Sequence, residues 1–115
     1  MTEIWHNPRC SKSRETLKLL EAQGITPDVR LYLEDAPDEA TLREVADLLG
    51  KRPVEMMRVK EALFKELGLN KDDSDDTLFA AMAKHPKLIE RPIVVCGDQA
   101  VIGRPPENIL ELNGG

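Results

Sequence analysis

A short apolar run, Ile4-Trp5, gives way to a turn, His6-Asn7-Pro8-Arg9-Cys10, then to an amphipathic stretch, Thr16 to Ala22, and then to a β-prone run, Val29 to Leu33. Strand, helix and strand in so short a span leave little freedom: the two strands lie parallel and the helix forms a right-handed crossover between them. Leu17 and Leu20 mark the helix's apolar side, Ser11 or Ser13 can serve near its start, and Gly24 supplies the stop. Pro27 and Asp35-Ala36-Pro37 bound the second strand.

Beyond Pro37 the pattern turns helical. Asp38 offers a cap, and Leu42, Val45, Ala46 and Leu49 recur at helical spacing until Gly50. Pro53 suits a first helical position, and Met56, Val59, Leu63 and Leu67 predict a second helix that ends at Gly68. A third fits Ser74 to Lys84, with Leu78 and Met82 inward. Asp72, Asp73, Asp75 and Asp76 gather at its start, where the helix dipole favours negative charge. These aspartates lack the glycine and distal glutamate of a calcium loop and read as solvated capping charges. Ile93 to Cys96 and Ala100 to Ile102 flank Gly97-Asp98-Gln99, a hairpin signal, and Pro106 to Leu112 predicts a short closing helix. The order β-α-β, three helices, β-β-α predicts one α/β domain with a central mixed sheet covered by helices.

The 115 residues are enough for a core without disulfides. No apolar run approaches the ~20 residues needed to span a bilayer. No basic segment followed by an apolar stretch marks the amino terminus, so a cytoplasmic, reducing location is expected, with Cys10 and Cys96 as thiols. The net charge of −5 and the lack of a basic tract argue against nucleic-acid binding. No apolar surface stripe stands out, and a monomer is expected. Any anion site must come from local arginines.

Cys10 falls where the first strand hands over to the first helix. The first N–H groups of a helix lack internal partners and carry the positive end of its dipole, so a sulfur there is held as thiolate, its reactive form. Arg9, Lys12 and Arg14 add positive charge nearby in sequence. Three further arginines stand at element ends: Arg58 near the start of the second inserted helix, Arg91 just before a strand, and Arg104 just after the hairpin. A guanidinium fork matches a tetrahedral oxyanion, which makes such an anion the natural guest. Spacing alone does not bring these side chains to Cys10. Cys96 ends an apolar run and reads as a buried structural thiol.

The blocks His6-Asn7-Pro8-Arg9-Cys10-Ser11-Lys12-Ser13-Arg14, Leu31-Tyr32-Leu33-Glu34, His85-Pro86 with Glu90-Arg91-Pro92-Ile93-Val94-Val95, and Gly103-Arg104-Pro105 resemble the glutaredoxin-linked arsenate reductase (ArsC) family, in its YfgD-like branch. Ser11-Lys12 stands where the best-known reductases have Gly-Thr. The resemblance implies a thioredoxin-like fold, a mixed four-stranded sheet with a helical insertion between strands 2 and 3. It also implies a cis peptide bond before Pro92. Carried over by position, it implies Cys10 as nucleophile, Arg58, Arg91 and Arg104 as oxyanion ligands, and His6, Ser13 and Arg14 as groups that lower the thiol pKa.

The implied activity is reduction of arsenate, or a similar oxyanion, to arsenite through a covalent thioarsenate on Cys10. Glutathione then serves as co-substrate and glutaredoxin as resolving partner, with no bound cofactor and no metal. The turn reads Cys-x-x-Ser, with Ser13 where a two-cysteine oxidoreductase places its resolving thiol, so an outside thiol is needed. Two other readings compete: a monothiol transfer enzyme acting on glutathionylated protein, and an adaptor like the Spx-type transcriptional regulators. A Cys-x5-Arg phosphatase loop is disfavoured because Thr16 occupies the arginine position.

Overall fold

The computed structural model describes residues 2–112. Four strands, β1 (Thr2–Trp5), β2 (Asp28–Arg30), β3 (Ile93–Cys96) and β4 (Gln99–Ile102), form one sheet in the order β2-β1-β3-β4. β1 pairs parallel with β2 and antiparallel with β3, and β3 pairs antiparallel with β4. The parallel pair is joined through α1 (Ser11–Ala22), as the opening pattern requires. The segment between β2 and β3 carries α2 (Glu39–Leu49), α3 (Ala62–Glu66) and α4 (Asp75–Lys84), with 3-10 turns at Pro53–Met56 and Pro86–Leu88. This is the expected mixed α/β, thioredoxin-like topology with its insertion between the second and third strands. The chain falls into two compact units, one carrying residues up to Asp35 and from Arg91 onward, the other Ala36–Glu90.

In the sheet unit the alternation of strand side chains decides the core. Ile4 and its cross-strand partner Val94 share one face, where Leu20 of α1 and Ile109 of the closing segment bury against them. Leu17, Ile25 and Val101 extend that layer, and full burial of each large aliphatic side chain contributes about 1.5–3 kcal/mol. Trp5 and its partner Ile93 occupy the other face and are also buried, with Trp5 Nε1 donating to Glu3 Oε1 at 2.8 Å. The closing segment, Pro106–Glu111, is a 3-10 helix, tighter than the helix expected there.

β2 is shorter than its sequence implies, ending at Arg30 rather than Leu33. The cause lies in its partner. β1 stops at Trp5, opposite Arg30, and the last interstrand bond is His6 N–H to Arg30 O at 2.9 Å. With nothing left to pair with, the chain turns: Leu31 O accepts the N–H groups of Glu34 and Asp35, and Arg30 Nε donates to Asp35 O. Tyr32 is buried in that turn while Leu31 and Leu33 face outward.

Within the Ala36–Glu90 unit, Asp38 caps α2 by accepting the Thr41 N–H at 2.8 Å, and Gly50 closes it at φ +67°, a left-handed conformation that favours glycine. Ser74 caps α4, and its first-turn aspartates pair outward, Asp75 with Arg52 and Asp76 with Arg43. The helix expected from Pro53 to Leu67 is broken. Met57 forms an isolated antiparallel bridge with Ile89, Arg58 N–H bonds Leu88 O at 2.7 Å, and Glu90 N–H bonds Met56 O at 2.8 Å. Those backbone groups are committed to a distant segment, so only the short turn Pro53–Met56 and α3 survive on either side. Of the four residues whose spacing predicted that helix only Met56 is buried, Leu67 is exposed, and the side chain that α3 buries is Phe64.

Candidate active site

The sheet register brings one end of three strands together. Extending the β1–β3 pairing past Trp5↔Ile93 sets Asn7 opposite Arg91, and extending β3–β4 past Ile93↔Ile102 sets Arg91 opposite Arg104. The turn into α1 begins at this same end. Arg104 reaches across it, donating from its guanidinium to Arg91 O at 3.4 Å. The Arg91-Pro92 bond is cis, as the resemblance implies, and Arg104-Pro105 is cis as well.

The Cys10 turn is organised by Asn7. Its carbonyl accepts the Cys10 N–H at 2.9 Å, its side-chain oxygen accepts the Arg9 N–H at 3.0 Å, and its own N–H donates to Ser13 Oγ at 3.0 Å. Cys10 is the N-cap of α1, extended at φ −94°, ψ 122°, and Arg14 N–H bonds its carbonyl as the first helical bond. No side-chain capping bond closes there, which leaves the first-turn N–H groups to a charged sulfur or a bound anion.

Burial pushes the half-buried Cys10 thiol up, and four effects outweigh it: the Ser13 N–H, the positive charge of Arg91, the Lys12 N–H and a guanidinium hydrogen bond from Arg91. The net result lies below the ordinary thiol value. The cation acting on the sulfur is thus Arg91, from the far end of the sequence. Arg14, its close neighbour in sequence, donates to Pro8 O at 2.8 Å and directs its charge on His6.

His6 and Ser13 form a buried pair, Nδ1 to Oγ 2.7 Å. Burial, then the charge of Arg14, lowers the imidazole pKa from its ordinary 6.5. We assign the neutral ring its proton on Nε2, because the Ser13 oxygen already accepts the Asn7 N–H and its own proton then reaches Nδ1. A histidine whose folded pKa is depressed contributes stability that is present above its unfolded pKa and lost as pH falls toward the folded one. Unfolding free energy is therefore expected to drop as pH falls below the ordinary imidazole value of 6.5. In His6→Asn, where an amide oxygen replaces Nδ1 as acceptor, this part of the pH slope is expected to vanish; denaturant midpoints across that range measure it.

Arg58 lies in the Ala36–Glu90 unit, directly after the Met57–Ile89 bridge rather than at a helix start. Its guanidinium pairs with Glu61 at 3.0 Å, and the other Glu61 oxygen pairs with Lys87 at 3.1 Å. Cys96 is buried on β3, where its sulfur accepts the Thr2 hydroxyl at 3.2 Å. Thr16 and Gly103, which sequence reasoning did not single out for the site, meet beside it. The fully buried Thr16 hydroxyl shares its one proton between Lys12 O at 2.8 Å and Gly103 O at 3.3 Å. Among the described residues no group of three or more His, Cys, Asp or Glu side chains could hold a metal, and no helix is long and apolar enough to cross a membrane.

Comparison with known proteins agrees with this fold. The chain is 54% identical over 114 residues to the uncharacterized protein YfgD of Escherichia coli K12, covering 97% of this chain and 96% of that one. It is 53% identical over 111 residues to a Haemophilus influenzae protein named arsenate reductase, covering 95% and 96% respectively. The solved structure of an arsenate reductase from Vibrio cholerae superposes with a TM-score of 0.92 at 60% identity, covering 96% of this chain and 95% of that one. The model of the ArsC family matches residues 5–112, and the chain belongs to that family.

Proposed function

We propose that this protein reduces arsenate to arsenite, with Cys10 as nucleophile, glutathione as co-substrate and glutaredoxin as the resolving partner. The observation that carries the reading is a sulfur at a helix N-terminus, held toward its ionised form by two first-turn N–H groups and by Arg91. The names of the relatives at about half identity over nearly the whole chain support arsenate as the oxyanion.

The thiolate attacks As(V), forming an S–As bond as an arsenate oxygen leaves as water. Glutathione displaces a second oxygen, also as water. A glutaredoxin thiol then attacks the glutathione sulfur, closing a mixed disulfide, and the electron pair of the broken As–S bond reduces arsenic to As(III). Hydrolysis of the remaining Cys10–As bond releases arsenite and restores the thiol. Arg91 and Arg104 neutralise and orient the oxyanion, the resemblance adds Arg58 to that set, and catalysis rests on positioning and electrostatics. His6, Ser13 and Arg14 act on the thiol through the turn: Ser13 by its N–H, His6 and Arg14 by fixing the segment around it.

The test is arsenate reduction coupled to glutathione and glutaredoxin, run beside a glutathionylated protein substrate. Turnover of arsenate that requires both thiol components is expected. Activity confined to the glutathionylated protein would assign the chain to thiol transfer instead.

A further inference from the structure

Gly103 links the loops that carry Arg91 and Arg104 to α1. Gly103 stands directly before Arg104 and Pro92 directly after Arg91, and Gly103 N–H bonds Pro92 O at 2.9 Å. On its other side Gly103 faces Thr16, six positions beyond Cys10 on α1, whose hydroxyl bridges Lys12 O and Gly103 O. A Cβ on Gly103 would lie 2.7 Å from Thr16 Oγ1, 2.9 Å from Thr16 Cγ2 and 2.9 Å from Pro92 Cγ. Those separations are closer than carbon tolerates, so glycine is required here by proximity.

We propose that Thr16 and Gly103 form a latch that sets Arg91 and Arg104 against Cys10, making both positioning residues for the reaction. Lys12 O, the other acceptor of the Thr16 hydroxyl, belongs to the helix turn whose N–H groups serve the sulfur. A single buried side chain therefore ties the cysteine turn to both guanidinium-bearing loops. Arg91 lies one residue from the contact and its guanidinium favours the Cys10 thiolate, so a displacement of Gly103 is expected to reach the thiolate's cation. The role as stated for catalysis rests on the arsenate reading above; the geometric role does not.

Three variants test it: Gly103→Ala, Thr16→Val, which keeps the side-chain shape and removes the hydroxyl, and Thr16→Ser, which keeps the hydroxyl. The first readout is the pH profile of Cys10 alkylation by iodoacetamide, which needs no arsenate, and the second is KM against kcat for arsenate. Gly103→Ala is expected to slow alkylation at neutral pH roughly tenfold, move its profile to higher pH, and raise KM ~10- to 100-fold. Thr16→Val is expected to move both in the same direction by a smaller factor, and Thr16→Ser to recover most of that loss. Should Gly103→Ala fail to fold, the pair at Thr16 decides. A wild-type alkylation profile in Thr16→Val, or an equal defect in Thr16→Val and Thr16→Ser, would overturn the latch. A displaced alkylation profile with no arsenate turnover even in the wild type would uphold the latch and reject the arsenate reading.

Discussion

Cys10→Ser is expected to abolish arsenate turnover, a loss on the order of 10⁴-fold or more, while Cys96→Ser retains most of it. A serine hydroxyl at position 10 would meet the same N–H groups and the same guanidinium, but it does not ionise near neutral pH, so no nucleophile forms. Cys96 sits buried on β3 with its sulfur accepting from Thr2, and a serine there can keep that bond. Its expected effect is on stability, about 1–2 kcal/mol from burying a more polar group in a slightly larger space. Steady-state turnover and denaturant unfolding of the two variants measure this. Equal loss of turnover from both would contradict the assignment of a single nucleophile.

Arg91→Ala is expected to act on the sulfur before it acts on the oxyanion. Burial of Cys10 opposes ionisation, and Arg91 supplies both charge and a hydrogen bond against it, so its removal leaves the two N–H groups alone to offset burial. The thiolate population at neutral pH is expected to fall on the order of tenfold. Arg91→Lys keeps the charge but not the planar fork, and is expected to recover the ionisation in part without recovering oxyanion affinity. The linkage follows in sign: a thiol with a depressed folded pKa contributes stability above the free-thiol pKa, lost as pH falls through the folded value, and Arg91→Ala narrows that window. Alkylation rates across pH report the ionisation, and KM for arsenate reports the binding.

Much of the fold could be read from local signals. The handover from Trp5 to Cys10 to Leu20 carries its own strand, turn and helix chemistry, and Asp38, Gly50, Ser74 and Gly97 mark ends that the structure reproduces. Failures occurred where long-range pairing decided. Leu31 to Leu33 has strand-forming residues, yet β1 offers no partner beyond Trp5. Met57 and Arg58 sit on a helical pattern, yet their backbone groups are spent on Leu88 and Ile89.

The site divides in the same way. Cys10 and the first-turn N–H groups are local and legible. That the cation on the sulfur is Arg91, rather than Arg9, Lys12 or Arg14, depends on the register of β1 with β3, which no sequence spacing reveals. Thr16 reads only as a helix interior, and Gly103, though part of the block Gly103-Arg104-Pro105, carried no role of its own. Their importance appears only when the space for a Cβ is measured against α1 and Pro92.

Titration of the Cys10 thiol in the Cys96→Ser protein, followed by alkylation rate with and without arsenate, tests the central claim most directly. The expected result is a midpoint below that of a free cysteine, protection by arsenate, and an upward shift of the midpoint in Arg91→Ala. A midpoint at or above the free thiol's, unmoved by Arg91→Ala, would contradict it.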